Sequence, residues 1–368
     1  MFRSVASRAF LLVLIFILEF AAIEGALRAY GAFEGSRTFQ SLFMDDPNVG
    51  IRLRPGARIR YTTVEFSTEI SINPQGVRDD EPIGPKAPNE RRIVVLGDSL
   101  VFSVQVSAAE TFCEKLERDL NARGGPETWR VINAGVQGYG PVDDWFFFDR
   151  VAANFQPDIV LIAAFVGNDA IEAADGGPSI DAGRPLKTAE PTARQIRRLV
   201  RSSVVLQLVR VRYDQLRARF FTGTPERPLA SYLTDPPPIV QRGLDVSRAA
   251  FGKIAERARG LGAKTAIVLV PARFQTDDTD YGYLKAAVEQ GGGVLDRQSS
   301  SRRFDEALKP LGLPMLDLQP ILFAQPDRSG LFFQRTVHLT PRGHDVVSGA
   351  LLDFLTTAGL TSPQGGGR

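Results

Sequence analysis

The chain of 368 residues contains two histidines, His338 and His344, both inside the short stretch "TVHLTPRGH" near the C-terminus. Imidazole titrates near neutrality, so these two positions are its candidate general bases. Far upstream, "RRIVVLGDSL" reads as a strand ending in Gly97-Asp98-Ser99, which sets a serine hydroxyl where a strand gives way to a helix. A serine becomes a nucleophile when a base takes its proton, so Ser99 with His338 is the first pair to consider. Taken alone, a serine at that place is as well explained as a helix cap.

Two further strand ends add to it. "NAGVQGYG" carries Gly135, Gly138 and Gly140, whose backbone N–H groups can approach a ligand without a side chain in the way. Gly167-Asn168-Asp169 places a neutral amide donor at the end of the next strand. Each stretch alone reads as a turn. In a doubly wound sheet these ends converge on one crevice, and there the three become a site.

The elements that must position them follow from the hydrophobic pattern. From Arg91 onward, apolar strand runs ("RRIVVLG", "WRVINAG", "PDIVLIAAFVG", "AKTAIVLVPA", "LPMLDL") alternate with amphipathic helices around 108–121, 142–154, 246–259 and 301–309. Continuous apolar strands separated by helices predict a parallel sheet buried on both faces, hence a doubly wound α/β domain. Residues 32–90 carry short alternating runs punctuated by Pro55, Gly56, Pro74 and Gly76, and predict a small strand-rich preface. An interruption over 175–238 is too long for an ordinary connection. Its arginine-rich middle, "RQIRRLVRSSVVLQLVRVRYDQLRARFF", suits a lid, a membrane-surface helix or a helix packed on the domain. The tail 359–368 reads as disordered.

Residues 1–31 form a third region. Arg3 and Arg8 precede an apolar run from Ala9 to Leu27 that only Glu19 and Glu24 interrupt. That length predicts a transmembrane helix, with the basic flank cytoplasmic and the remainder, 91–358 included, extracytoplasmic or periplasmic. Composition narrows the function. Lys+Arg 44 against Asp+Glu 42, a net charge of +2, is too balanced for a nucleic-acid binder. Two neighbouring histidines and the single Cys113 make a poor metal-ligand set, so no metal and no cofactor is expected, and Cys113 is read as a buried small hydrophobe.

The ordered blocks "GDSL" (97–100), "NAGVQGYG" (133–140), "GND" (167–169) and "HLTPRGH" (338–344) resemble the four signature blocks of the SGNH, or GDSL, hydrolases, over about Arg91 to Leu355. The resemblance implies a three-layer α/β/α flavodoxin-like sandwich. It also implies Ser99 as nucleophile, Gly138 and Asn168 with the Ser99 N–H as oxyanion hole, and His338 as base, with His344 structural. The apolar N-terminus and strand-rich preface are similar to those of membrane-anchored bacterial members.

One departure stands out, because relatives carry an aspartate two or three residues before the histidine, and here those positions are Thr336 and Arg335. Either a backbone carbonyl orients His338, or Asp317 or Asp345 substitutes, or activity is lost. Ser103 and Gln105 also stand where relatives commonly carry glycine. The implied activity is a membrane-anchored serine esterase acting on an acylated glycan, lipid or small ester. The alternatives are an O-acyltransferase using the same residues and an inactive glycan-binding or scaffold protein.

Overall fold

The computed structural model describes residues 2–29, 38–183, 203, 205, 206, 209, 227–336 and 338–361. The chain divides into two compact units, Met1–Ser41 with Ala189–Gly223, and Leu42–Thr188 with Thr224–Arg368.

In the first unit, helix α1 spans Phe2–Ala29. Leu12, Phe16 and Leu18 stand exposed along it. The expected helix forms, yet among the described residues no helix is long and apolar enough to cross a membrane. Glu19 and Glu24 divide its apolar run. The Glu24 carboxylate accepts hydrogen bonds from the Ser203 hydroxyl (2.9 Å) and the Val205 N–H (3.0 Å). Most of the arginine-rich middle of the interruption, and with it the lid reading, lies outside the described residues. So does the tail over 362–368.

The second unit opens with the strand-rich preface. β1 (Phe43–Asp46) and β2 (Gly50–Leu53) form one antiparallel pair, and β3 (Arg58–Thr62) and β4 (Ser67–Ser71) form another. In β4 the alternation is visible residue by residue: Thr68 and Ile70 point inward, Ser67 and Glu69 outward.

The main sheet has five parallel strands, β5 (Glu90–Leu96), β6 (Thr128–Asn133), β7 (Ile159–Phe165), β8 (Lys264–Val270) and β9 (Met315–Asp317), in the order β6-β5-β7-β8-β9. Every residue of β7 is buried, as a central strand covered on both faces must be. Between and after the strands come α2 (Ser99–Phe102), α3 (Phe112–Ala122), α4 (Pro141–Arg150), α5 (Asp169–Ala182), α6 (Pro238–Gly260), α7 (Asp278–Gln290), α8 (Ser299–Leu308), α9 (Gln319–Phe323) and α10 (Pro341–Thr357). α3 packs on α10, while α6 packs on α4, α5 and α8. With right-handed crossovers, a strand order that reverses after the second strand sends these two groups to opposite faces. The result is the three-layer doubly wound architecture, in the flavodoxin-type strand order, with its switch point between β5 and β7.

The interruption begins later than the sequence predicts. α5 runs through Gly176-Gly177-Pro178 to Ala182, and α6 starts at Pro238 rather than near Val246. α7 and α9 carry no periodicity strong enough to predict them.

Candidate active site

The position of Ser99 is built by a tight strand exit. Gly97 has φ +152°, and a Cβ there would lie 2.6 Å from Val101 Cγ2 and 3.0 Å from Ala163 O, so only glycine fits. Asp98 then caps α2, its carboxylate accepting the Leu100 N–H at 2.8 Å. Ser99 is the first residue of that helix and is half-buried. Burial pushes the Asp98 carboxyl up to about 6, against hydrogen bonds from Leu100, from its own backbone and from Ser99.

The loop after β6 is strapped to this turn. The Asn133 side-chain amide donates to Val101 O (2.7 Å) and its carbonyl accepts from Gly135 N (3.2 Å), while Val136 N donates to Gly97 O (3.0 Å). Gly135 lies against α2 so closely that a Cβ would meet Phe102 N at 2.5 Å. Gly138 differs: its φ is +73° and a Cβ there would meet no atom within 4 Å, so it faces open space.

After β7, Asn168 occupies the N-cap position of α5. Its amide nitrogen donates to Glu172 Oε1 at 2.9 Å, and its Oδ1 is buried with no hydrogen-bond partner. Asp169 behind it is buried and accepts the Phe165 N–H (2.9 Å). Burial, and next the neighbouring charge of Asp98, hold its carboxyl well above the usual range, so the ends of β5 and β7 feel one another electrostatically.

His338 sits in the loop before α10. Its backbone N–H faces Thr336 Oγ1 (3.4 Å) and its carbonyl accepts from Phe333 N (3.0 Å). Both ring nitrogens are buried without a hydrogen-bond partner, and burial lowers the imidazole to about 4, which leaves it neutral at physiological pH. Leu100 and Leu339, the neighbours of Ser99 and His338, line one apolar cavity together with Val270 and Leu318 from the exits of β8 and β9. The strand ends carrying Ser99, Gly138 and Asn168 share one edge of the sheet, and the His338 ring, with both nitrogens unpartnered, is not hydrogen-bonded to Ser99.

The remaining candidates have different surroundings. The Asp317 carboxylate accepts the Gln319 N–H (2.8 Å), and burial raises its pKa. Asp345 pairs with Lys115 on the exposed flank of α10. Neither is hydrogen-bonded to His338. His344 is buried, accepts the Phe112 N–H on Nδ1 (3.1 Å) and stacks on the Phe112 ring, tying α10 to α3. Cys113 is buried, which pushes its thiol up.

Three residues around the site carry no mark in the sequence pattern that singled out the others. Arg78, buried, donates to the Phe102 (2.6 Å), Ser103 and Val106 (2.5 Å) carbonyls at and just past the end of α2. Glu65 accepts the Arg335 N–H, and Glu172 holds Asn168. No local pattern marks the first two. Glu172 stands one helical turn after Asn168, a spacing that could have drawn attention to it.

No family model matches the chain, and no curated protein matches it. Among solved structures it is similar to TesA (13% identity over 73% of this chain and 99% of that one, TM-score 0.40). It is also similar to a lipase/acylhydrolase from Enterococcus faecalis (14%, 73% and 96%, 0.41). A third is a catalytic mutant of Axe2, an acetylxylan esterase from Geobacillus stearothermophilus (13%, 74% and 96%, 0.40). Scores this low carry no argument about chemistry, which rests on the residues described above.

Proposed function

We propose that the chain is a serine esterase of the SGNH type. What supports this reading is that Ser99, Gly138 and Asn168 follow the carboxyl ends of the neighbouring strands β5, β6 and β7, and that the His338 imidazole is neutral with both ring nitrogens unpartnered. Neutral His338 takes the Ser99 proton as Oγ bonds to the ester carbonyl carbon. The oxyanion is received by the N–H groups of Ser99 and Gly138 and by the Asn168 amide. Collapse expels the alcohol, which leaves with the proton from His338, and water admitted to the acyl-enzyme completes the cycle. The acid that orients imidazole in many such sites is replaced here by immobilisation: burial and the Phe333–His338 backbone bond hold the loop.

The acylated substrate is a glycan, lipid or small ester. We further propose that α1 holds the chain at the cytoplasmic membrane with the catalytic unit outside it. The exposed Leu12, Phe16 and Leu18 support that placement.

The test is hydrolysis of p-nitrophenyl acetate and longer esters by the full chain in detergent. Ser99→Ala and His338→Ala each remove at least about 10⁴-fold of kcat, and Asn168→Ala about 10²- to 10³-fold. Turnover that survives Ser99→Ala would overturn the reading. A folded chain inert toward water that transfers acyl groups to added sugar hydroxyls would identify the acyltransferase instead.

A further inference from the structure

Asn168 can serve an oxyanion only if its amide nitrogen, not its carbonyl, faces the ester. A side-chain amide is nearly symmetric in shape, so shape alone does not choose between the two orientations. In this chain the choice is made by one bond, from Asn168 Nδ2 to Glu172 Oε1 at 2.9 Å. A carboxylate accepts hydrogen bonds and donates none. Turning the amide over would set Asn168 Oδ1 against the Glu172 oxygens, a repulsion between two acceptors. The Asn168 Oδ1 pays for the orientation by lying buried with no partner of its own. An amide nitrogen carries two hydrogens, so one stays with Glu172 and the second is left for a ligand.

Glu172 reaches the other arm of the site as well. A Cβ at Gly140 would lie 3.0 Å from Glu172 Cβ and 3.1 Å from its Oε2, so the side chain lies against the loop that carries Gly138. It stands on the first turn of α5.

We propose that Glu172 is a positioning residue that locks the Asn168 amide with its donor toward the substrate. The proposal deepens the esterase reading and rests on it.

Three variants of the full chain test it. Glu172→Leu removes the acceptor while filling the same space, and lowers kcat about 10²-fold with KM within about twofold, approaching Asn168→Ala. Glu172→Gln can still accept through its carbonyl, although its own amide can also turn over, and it retains kcat within about tenfold. The decisive result is the double variant: in the Asn168→Ala background, Glu172→Leu has no further effect, because the residue acts through the amide that is gone. Additive losses, or a fall in Tm matching the fall in kcat, would make Glu172 a plain packing residue and overturn the proposal.

The side-chain NH₂ resonances of Asn168 read the same lock without turnover. In wild type the two protons are distinct in shift and slow to interchange, and in Glu172→Leu they interchange faster. Equal behaviour in the two proteins overturns the lock even if the chain hydrolyses no ester. An inert wild type with a Glu172-dependent amide would instead remove the esterase reading and leave the lock standing.

Discussion

The backbone N–H of Arg335 donates a 2.8 Å hydrogen bond to the carboxylate of Glu65, joining the β3–β4 turn to the loop that carries His338. Beside that bond the Phe66 ring lies 5.8 Å from the Phe333 ring, and Phe333 N–H in turn bonds His338 O. Arg335 occupies a position where the resembled hydrolases carry the acid that orients the histidine. Here the carboxylate comes from the preface and holds the backbone of the loop, not the ring. Glu65→Ala is expected to lower kcat about tenfold, the worth of one charge-assisted hydrogen bond, with KM unchanged. Glu65→Gln restores most of it. Steady-state kinetics of the two variants checks this, and an unchanged kcat in Glu65→Ala would show that the loop holds itself.

The pH dependence has a sign that follows from burial. His338 is lowered to about 4 and His344 to about 3. Between the ordinary value near 6.5 and those values the unfolded chain binds protons that the native chain does not. Their contribution to stability is therefore complete above about pH 6.5 and is lost as pH falls through that window. Asp98 and Glu114, raised to about 6 and about 7 chiefly by burial, act in the opposite sense: their contribution is present at low pH and fades as pH rises toward those values. If His338 is the base, as proposed, the acid limb of kcat/KM is expected near pH 4, well below that of a solvated imidazole. A pH–rate profile with its limb near 6.5 would mean that the imidazole is hydrated or paired in the working enzyme.

How far the sequence can be read depends on the separation of the partners. Ser99 and Asn168 are legible because each follows a run of buried aliphatics that ends within a residue or two, and strand period and strand end are local signals. The alternation of strands and helices implies a parallel sheet, whereas the order β6-β5-β7 that gathers them is visible only in the structure. Glu65 and Arg78 are not legible: their partners lie 270 positions away in one case and 24 to 28 in the other, and nothing near either residue announces them. α5 escapes a sequence reading for a different reason. Gly176-Gly177-Pro178 reads as a break, but Gly176 meets Val142 and Gly177 meets Val246 so closely that small residues are what the packing of α5 requires. Tertiary contact overrides the propensity there.

Arg78 makes the preface part of the site. Its buried guanidinium, lowered to about 10 by burial yet still charged at neutral pH, is shared among the Phe102, Ser103 and Val106 carbonyls. Thr68 Oγ1 adds a bond to Gln105 O at 3.1 Å. Residues 102–106 are the last residue of α2 and the segment directly after it. Arg78→Met fills the space and leaves the carbonyls unsatisfied, so it is expected to cost roughly 3 kcal/mol in urea unfolding. Below the unfolding transition it should also lower kcat, since Ser99 loses the support behind its helix. A stability change under about 1 kcal/mol would mean that water replaces the guanidinium.

Two glycines of α6 should respond oppositely to the same substitution. At Gly243 a Cβ would fall 1.5 Å from Ala170 O and 2.5 Å from its carbon, both backbone atoms of the first turn of α5, so α5 and α6 would have to part. That turn begins next to Asn168, and Gly243→Ala is expected to cost about 3 kcal/mol and to lower kcat with it. At Gly252 the added methyl meets only Leu311 Cδ2, at 3.4 Å, an ordinary contact in a helix interior. Gly252→Ala is therefore expected to stabilise by about 0.5–1 kcal/mol through the reduced freedom of the unfolded chain, leaving kcat alone. Paired thermal melts of the two variants read both signs at once. If Gly243→Ala melted with Gly252→Ala above the wild type, the close crossing of α5 and α6 would be wrong, and with it the placement of Asn168 at the head of α5.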